Sequence, residues 1–297
     1  MSRTKLIQQA ARVRDILQQR NADMNAKTTS LPQLPPPPSY EYQCKNEYKF
    51  ESKQLYFPSS YSQNYGTRGF SNWLIPNHVM IGQYPGMAPE KHGPQEEEVK
   101  MHMHRLLNDA RIRTFCSLQS EVPSQDDFIS WDAANGRVQL PMDGGRDDFP
   151  KYFTHYAPLV ELMSSMDGNT DADDLINARD GDPSGSVSYV HAPILDLNTP
   201  SSASLVSLLS AILTKLECEN AALYIHCWGG RGRAGLVGSC LLSLLFPELD
   251  SKDCLDLVQK GYDTRDGALF MPLGLRMSPQ TSSQRNFVMQ FVAEFRQ

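Results

Sequence analysis

The residues with the clearest chemical potential lie in one short segment in the last third of the chain, HCWGGRGR at 226–233. Cys227 and Arg233 are separated by five residues, three of which are glycines. Glycine-rich turns can direct successive backbone N–H groups toward an anion, and the helix predicted to follow would add partial positive charge at the same point. The segment therefore predicts a phosphate-binding loop of six residues: Trp228, Gly229, Gly230, Arg231, Gly232 and Arg233.

Cys227 would lie at the start of this loop, where a positive field favours the thiolate over the thiol. The planar guanidinium of Arg233 can donate two parallel hydrogen bonds to phosphate oxygens. A thiolate beneath a bound phosphate is placed for in-line attack on phosphorus, which would produce a covalent phosphocysteine intermediate. A cysteine followed by an arginine six positions later also arises by chance, so this spacing alone is weak evidence for a phosphate-binding loop. The position of the segment between an apolar predicted strand and an apolar predicted helix strengthens the prediction.

The segment resembles the H-C-x5-R signature loop of cysteine-dependent protein tyrosine and dual-specificity phosphatases. The aromatic residue and two glycines after the cysteine are similar to the kinase-associated phosphatase type of dual-specificity enzyme. The resemblance covers residues 72–297 and implies a protein tyrosine phosphatase-like fold, with Cys227 as nucleophile, Arg233 as phosphate clamp and no metal or other cofactor. The sequence departs from the family at Ala234, where most members carry a Ser or Thr whose hydroxyl hydrogen-bonds the departing thiolate.

The same resemblance implies a general acid on a loop about thirty residues before the cysteine. Asp196 lies 31 residues before Cys227, just after a predicted strand, and could protonate the leaving group. An aspartate that stabilises a turn is the alternative. Gln280 and Gln284 are similar to the Q-x-x-x-Q element that helps position the hydrolytic water in classical tyrosine phosphatases. Alternatively, they are solvated residues at a helix start.

Several other polar residues are interpreted as structural. Glu121 is expected in a solvated turn, with a contact to Arg233 as the alternative. His102 and His104 alternate on a predicted helix and are expected at the surface rather than at a metal site. Four further cysteines are expected to be small buried hydrophobes: Cys116, Cys218, Cys240 and Cys254.

Alternating strands and helices are predicted to position the loop. Short runs of branched and aromatic residues predict strands, and apolar residues at helical spacing predict helices. The predicted strands are 79–82, 112–118, 138–141, 187–194 and 221–226. The predicted helices are 96–110, 152–166, 204–216, 233–245, 251–260 and 281–295. This order predicts an α/β fold with a central, mostly parallel sheet flanked by helices.

Two regions are predicted along the chain: residues 1–71 as an N-terminal extension and residues 72–297 as a dual-specificity phosphatase-like catalytic domain. The extension begins with a basic segment at 1–30 that has apolar residues at helical spacing. This segment predicts a short, solvated amphipathic helix. An Arg-rich organelle-targeting presequence is the alternative.

A proline-rich segment follows the basic segment. LPQLPPPP at 31–38 predicts an extended polyproline II linker, because consecutive prolines exclude helix. The PPSY sequence at 37–40 also fits a P-P-x-Y peptide, so Pro32–Tyr40 is a candidate ligand for a WW or SH3 domain.

The composition excludes several classes of protein. The 297 residues are 40% hydrophobic and 21% charged, as in an ordinary globular protein. The formal net charge of −6 argues against a broad nucleic-acid-binding face. The sequence predicts no membrane span, no secretory signal and no disulfide framework. We therefore expect a cytoplasmic location, with nuclear and organellar locations left open.

These features predict a metal-independent phosphatase that hydrolyses phosphomonoesters. Protein phosphotyrosine is the leading substrate, and phosphoserine and phosphothreonine are further candidates. Arg231 leaves a phosphoinositide or inositol phosphate open as the substrate, because a second cation at the loop would suit a doubly anionic ligand. Ala234 and the proline-rich segment leave open a phospho-binding pseudophosphatase or scaffold.

Overall fold

A computed structural model of the chain describes residues 1–25, 71–89, 96–139, 152–166, 186–219, 221–265, 268 and 276–296. The proline-rich segment lies outside the described residues. Its predicted polyproline II conformation and its predicted role as a ligand for a WW or SH3 domain therefore stay predictions. The predicted boundary between an extension and a catalytic domain at residue 72 stays a prediction, although the first described strand after the N-terminal helix begins at Ser71.

The centre of the molecule is a five-stranded sheet. Its strands are β1 (Ser71–Ile75), β2 (Val79–Gly82), β3 (Ile112–Gln119), β6 (Ser188–Ile194) and β7 (Ala222–His226), in the order β1-β2-β7-β3-β6. β1 and β2 form an antiparallel hairpin, and the other neighbouring pairs are parallel. The prediction of an α/β fold with a mostly parallel central sheet is confirmed.

β7 is the central strand, and its register fixes where chemistry can occur. All five of its residues are buried, as expected for a strand that is covered on both faces. Gly82 of β2 and Ser117 of β3 are both paired with His226, the last residue of β7. The carboxyl ends of three parallel strands therefore meet beside Cys227, at the edge where α/β sheets usually bind ligands.

Helices cover both faces of the sheet. They are α1 (Arg3–Asn25), α2 (Glu96–Leu107), α3 (Phe128–Ala133), α4 (Ala157–Met166), α5 (Ser202–Cys218), α6 (Gly232–Leu245), α7 (Ser251–Asp263) and α8 (Ser282–Arg296). One core joins the sheet to α1, α5, α6, α7 and α8, and a second lies under α2 and α4. Every residue of α6 is buried, which agrees with the run of apolar and small residues that follows Arg233 in this helix.

The N-terminal helix α1 is helical, as predicted, but it is not a solvated appendage. Its apolar stripe is buried in the same core as α5 and α6: Leu6, Ala10, Val13 and Leu17. The Gln9 side chain donates to Thr214 Oγ1 at 2.9 Å. Arg20 Nη1 donates to the Leu216 carbonyl oxygen at 2.8 Å, near the end of α5, where a cation also complements the helix dipole. The interpretation as a solvated helix was wrong because the partner face of α5 could not be seen in the local sequence.

The helix predicted over 152–166 begins later than expected. Tyr152–Thr154 forms strand β5, which pairs with β4 (Arg137–Gln139) in a separate two-stranded antiparallel sheet. The strand predicted at 138–141 therefore exists, with its bounds shifted, and its last two residues lie outside the described ranges. Tyr152, Phe153 and Thr154 are aromatic or branched, and these residue types favour a strand over a helix start.

The cysteines away from the predicted loop differ in environment. Cys116, Cys240 and Cys254 are buried, as expected. Burial raises the pKa of Cys116 and of Cys254 to about 12, which keeps both side chains as thiols at neutral pH. Cys218 is exposed, so the expectation for this residue was wrong. It is the last residue of α5, just beyond the buried stripe of that helix.

His102 is buried, contrary to the expected surface position, whereas His104 is exposed. His102 Nε2 lies 3.4 Å from the Tyr224 hydroxyl. No group of three or more His, Cys, Asp or Glu side chains in the described ranges is arranged to hold a metal ion. None of the helices described is long and apolar enough to cross a membrane.

Three buried histidines should make the folded state sensitive to mild acid. Burial lowers the pKa of His78 to about 4 and that of His102 and His226 to about 3. Below pH 6.5 the unfolded chain therefore binds more protons than the folded one. Full stability is expected above pH 6.5, and the free energy of unfolding should fall by up to about 4 kcal/mol per pH unit toward pH 5.

Urea unfolding at several pH values between 7.5 and 5 tests this prediction, since carboxylates titrate mainly below that window. His102→Leu should remove about one third of the pH slope, and His104→Gln should leave it unchanged. A wild-type stability that does not vary with pH, or an unaltered slope in His102→Leu, would contradict the prediction.

Candidate active site

Cys227 follows β7 directly and begins the loop that leads into α6. Its side chain is almost fully enclosed, with 3% of the residue exposed. The Cys227 N–H donates to the carbonyl oxygen of Gly82 at 3.4 Å, at the end of the neighbouring strand β2. The sheet therefore holds the sulfur-bearing residue at the carboxyl edge where the strands β2, β3 and β7 meet.

The N-terminus of α6 opens toward this loop. Arg231 is the N-cap residue, and its side chain makes no capping hydrogen bond. The first helical bond runs from the Gly235 N–H to the Arg231 carbonyl oxygen at 3.1 Å. The N–H groups in the first turn, at residues 232–234, therefore have no acceptor within the helix and can bind an anion with the help of the helix dipole.

Arg233 lies in this first turn with only 1% of its side chain exposed. Its Nη1 donates to Glu121 Oε2 at 2.7 Å and to the Ile194 carbonyl oxygen at 3.0 Å. Burial by itself lowers the pKa of Arg233, but electrostatic interactions with Cys227 and Glu121 and the hydrogen bond to Glu121 outweigh that effect and raise it. The guanidinium is thus a fixed buried cation.

Some of the N–H donors of the Arg233 guanidinium are available to a ligand. The Nε atom makes no hydrogen bond to the described residues, and Nη2 lies 3.1 Å from Asp196 Oδ1 as an ion pair. An incoming phosphate could accept from Nε and could compete with Asp196 for Nη2.

Glu121 was expected in a solvated turn, and the structure corrects this. Its side chain is 13% exposed and braces Arg233 from behind. The local sequence around Glu121 is typical of a turn, so the contact depends on how β3 lies beside β7. A partly buried carboxylate beside a buried guanidinium fixes the orientation of the guanidinium, since neither charge is well solvated.

Asp196 lies just beyond β6, on the loop that leads to α5. Its side chain is 49% exposed, so the carboxylate faces the solvent side of the loop while it pairs with Arg233. The loop is tied to the start of α8: Gln284 Nε2, in the first turn of α8, donates to the Asn198 carbonyl oxygen at 3.1 Å, and Thr281 Oγ1, just before α8, donates to that of Leu197 at 3.4 Å. Asp196, Cys227 and Arg233 are therefore brought together from separate elements.

The two predicted glutamines both reach the start of α6. A Cβ atom built on Gly232 would lie 3.1 Å from Gln284 Oε1 and 3.3 Å from Gln280 Oε1. Gln284 is buried, and its Oε1 accepts from the N–H groups of Gln280 and Thr281 at 3.1 Å each. Gln284 thus orders the backbone at Gln280 and Thr281, while the Gln280 side chain faces the loop at Gly232.

The remaining loop residues have different surroundings. Trp228 packs edge-on against Phe153 with ring centroids 5.2 Å apart. Arg231 is buried rather than exposed at the loop mouth. Ala234 is fully buried and provides no hydroxyl.

Several contacts at the site had no distinct signal in the sequence. His226 Nε2 lies 2.8 Å from the Tyr156 hydroxyl, and burial lowers the pKa of His226 to about 3, so the ring is neutral and unsuited to act as a base near pH 7. Arg265 also contacts the loop, through the carbonyl oxygen of Gly230. The pairing of Tyr156 with His226 and that of Arg265 with the loop depend on tertiary structure alone.

Gly230 should be essential to the loop for a steric reason. Its φ is +64°, and a Cβ atom there would lie 2.1 Å from the carbonyl carbon of Gly82 and 2.3 Å from the nitrogen of Gln83. Gly230→Ala must therefore displace the loop from β2, and we expect it to lose most of its affinity for an oxyanion such as tungstate. The left-handed conformation alone costs about 1–2 kcal/mol for alanine, and overpacking adds about 1–3 kcal/mol.

Gly136 offers a matched control for this substitution. Its φ is +68°, yet a Cβ atom there would have nothing within 4 Å. Gly136→Ala should lose only the conformational part of the stability and bind tungstate like the wild type. Urea unfolding and calorimetric titration of both variants test the prediction, and equal losses in the two variants would contradict it.

Comparison with known proteins gives one family match and several related proteins. Residues 177–266 match the family model described as Swiss Army Knife protein, DSP-PTPase phosphatase domain. That range contains Asp196, Cys227 and Arg233. The family match confirms the resemblance to dual-specificity phosphatases that the loop indicated.

Two curated relatives and one solved structure are similar to the chain. Human cyclin-dependent kinase inhibitor 3 is 38% identical over 66 residues, which is 22% of this chain and 31% of the relative. The rat protein of the same name is 32% identical over 102 residues, 34% of this chain and 42% of the relative. The chain thus matches less than half the length of these relatives. A crystal structure of kinase associated phosphatase, with its catalytic-site cysteine changed to serine, superposes with a TM-score of 0.44 at 16% identity, covering 77% of this chain and 94% of that one.

Proposed function

We propose that this protein is a cysteine-dependent phosphatase that hydrolyses phosphomonoesters, with protein phosphotyrosine as its leading substrate. The observation that carries the proposal is the buried guanidinium of Arg233, which Glu121 holds at 2.7 Å in the first turn of the buried helix that follows Cys227. A sulfur nucleophile, a fixed cation and unpaired helix N–H groups together form a site for a phosphoryl group.

In the first half-reaction, the Cys227 thiolate attacks phosphorus and the bond from phosphorus to the ester oxygen breaks. Asp196 donates its proton to the departing oxygen, which leaves as an alcohol or phenol. The backbone N–H groups of residues 228–233 and the Arg233 fork would hold the three remaining phosphoryl oxygens as charge develops on them.

In the second half-reaction, water attacks the phosphocysteine and transfers a proton to Asp196. The phosphorus–sulfur bond breaks, phosphate leaves and the Cys227 thiolate is restored. The side chain of Gln280, which faces the start of α6, could orient this water. Ala234 offers no hydrogen bond to the departing sulfur, and such a bond to a charged group contributes about 1.5–3 kcal/mol, so this step should be the slow one.

A protein substrate is favoured over the two alternatives. Arg231 is 8% exposed and therefore presents little cationic surface to a second phosphate group outside the loop, which weakens the motive for a phosphoinositide substrate. Cys227, Arg233 and Asp196 are all present, and their arrangement gives no reason to choose a purely phospho-binding scaffold. The two curated relatives carry names that refer to cyclin-dependent kinases, which supports a phosphoprotein substrate.

A substrate comparison tests this proposal directly. Phosphate release would be measured from phosphotyrosine and phosphothreonine peptides and from soluble short-chain phosphoinositides, with Cys227→Ser alongside. We expect the wild type to release phosphate fastest from the phosphotyrosine peptide, and Cys227→Ser to release none. Faster release from phosphoinositides would support the lipid alternative, and peptide binding without any release would support the scaffold.

A further inference from the structure

We propose that Arg265 is a positioning residue of the phosphate loop, which fixes the peptide between Gly230 and Arg231 so that the Arg231 N–H faces the bound oxyanion. The inference rests on the proposed function, because it assigns a role in that same site. Arg265 lies just after α7, 32 residues beyond Arg233 in the sequence.

The Arg265 guanidinium is buried and joins the loop to two strands. The residue is 3% exposed. Its Nη2 donates to the carbonyl oxygens of Gly230 at 3.0 Å and Ile81 at 2.9 Å, and its Nε donates to Asn72 Oδ1 at 2.7 Å. One side chain therefore links the loop to both β1 and β2.

The direction of the Gly230 carbonyl determines the direction of the next N–H. A trans peptide is planar, and its C=O and N–H bonds point to opposite sides. Because Arg265 holds the Gly230 oxygen on its own side, the Arg231 N–H is directed to the opposite side, where the loop encloses the anion position. If the peptide reversed, its carbonyl oxygen would face the Cys227 sulfur and the phosphate, and the Arg265 Nη2 would lose one of its acceptors.

Two neighbouring carbonyls are held in the same manner. The Tyr84 N–H donates to the Trp228 oxygen at 2.9 Å, and Ser278 Oγ donates to the Arg231 oxygen at 3.0 Å. Of these three donors, Arg265 is the charged one, and charge-assisted hydrogen bonds are the stronger ones. Its positive charge also lies on the loop side of the sheet, where it adds to the field that favours the anion.

The fork geometry makes lysine an incomplete substitute. Arginine presents donors at several fixed positions, whereas lysine presents one flexible ammonium group. Arg265→Lys keeps the charge but cannot satisfy Gly230, Ile81 and Asn72 with the same geometry. Arg265→Gln removes the charge and most donors. The two variants therefore separate the contribution of charge from that of the fork.

Calorimetric titration with tungstate, used as a phosphate mimic, tests the proposal in the full chain. We expect Arg265→Gln to lose affinity by about 10- to 100-fold, the effect of one lost hydrogen bond to a charged group, and Arg265→Lys to lose less. The turnover number for an aryl phosphate should fall in the same order. Thermal unfolding of each variant sets a working temperature at which the protein is folded.

Arg113 provides the matched control, because its Nη1 also donates to two backbone carbonyls, those of Leu107 at 2.7 Å and Ile112 at 2.9 Å, at the opposite end of β3. Arg113→Lys should lower thermal stability and leave tungstate affinity unchanged. Equal tungstate affinity in the wild type and both Arg265 variants would overturn the proposal, as would an equal loss in Arg113→Lys. If the wild type binds tungstate but hydrolyses no ester, the proposed function fails while the titrations still decide the role of Arg265.

Discussion

Replacing Cys227 with serine is expected to lower turnover of an aryl phosphate by about 10⁴-fold or more, the scale seen when an enzyme loses its nucleophile. A serine hydroxyl at this position has no general base, because the adjacent His226 is buried, neutral and bonded to Tyr156. Steady-state hydrolysis, measured with enough protein to detect slow residual release, gives the result directly.

The Cys227→Ser variant should still bind an oxyanion. Serine has nearly the same shape as cysteine, and the helix N-terminus and Arg233 are untouched. Removing a negative sulfur also removes repulsion toward the ligand, so tungstate affinity should be equal or higher. Cys218→Ser is the control, because Cys218 is exposed at the end of α5; it should keep full activity. Near wild-type turnover in Cys227→Ser would contradict the assignment of the nucleophile.

Replacing Asp196 with asparagine should lower turnover by about 10²–10⁴-fold, the usual contribution of a general acid. The loss should be largest for alkyl phosphates and for phenols that leave poorly, and smaller for a strongly acidic phenol, which needs no proton to depart. Rates for a series of aryl phosphates with leaving groups of different acidity would measure this dependence.

Binding should respond in the opposite direction from turnover. Asp196 Oδ1 lies 3.1 Å from Arg233 Nη2 and so occupies a donor that would otherwise be available to a bound phosphate. The asparagine side chain is neutral, so Asp196→Asn should bind tungstate as tightly as the wild type or more tightly. Asp132→Asn is the control, because Asp132 is exposed on α3. An unchanged rate with a poor leaving group in Asp196→Asn would remove Asp196 from the mechanism.

The sequence predicted the strand and the helix that flank the loop well because the pattern that marks them is local. Cys227, three glycines and Arg233 lie within seven consecutive residues between an apolar strand and an apolar helix, and the observed β7 and α6 agree with the predicted bounds to within a residue or so. Asp196 could be proposed only through the family resemblance, since its spacing from Cys227 has no local structural meaning. Its functional role, like those of Gln280 and Gln284, stays a prediction.

The contacts that the sequence did not predict are all tertiary. Glu121 is in a segment typical of a turn, yet the parallel pairing of β3 with β7 brings it against Arg233. Arg265 follows an amphipathic helix and has no motif, and only the fold brings it to Gly230. His102 was expected at the surface, and this was wrong because helical spacing alone cannot say which face of the helix meets the sheet.

The same limit explains the N-terminal helix. Leu6, Ala10, Val13 and Leu17 predicted its helical form correctly, since their spacing follows the helix period. Whether that stripe meets solvent or a partner depends on an apolar surface of α5, which begins at Ser202, far along the chain. The predicted division of the chain at residue 72 did not take this packing into account.

The most direct test of the account is detection of the covalent intermediate. Wild-type protein mixed with a labelled phosphotyrosine peptide would be stopped with denaturant within the first turnovers, digested and analysed by mass spectrometry. Because Ala234 gives the departing sulfur no hydrogen bond, the phosphoenzyme should accumulate, and the phosphoryl group should be found on the peptide that contains Cys227 and nowhere in Cys227→Ser. Turnover that continues without phosphoryl label on Cys227, or label on a different residue, would contradict the account.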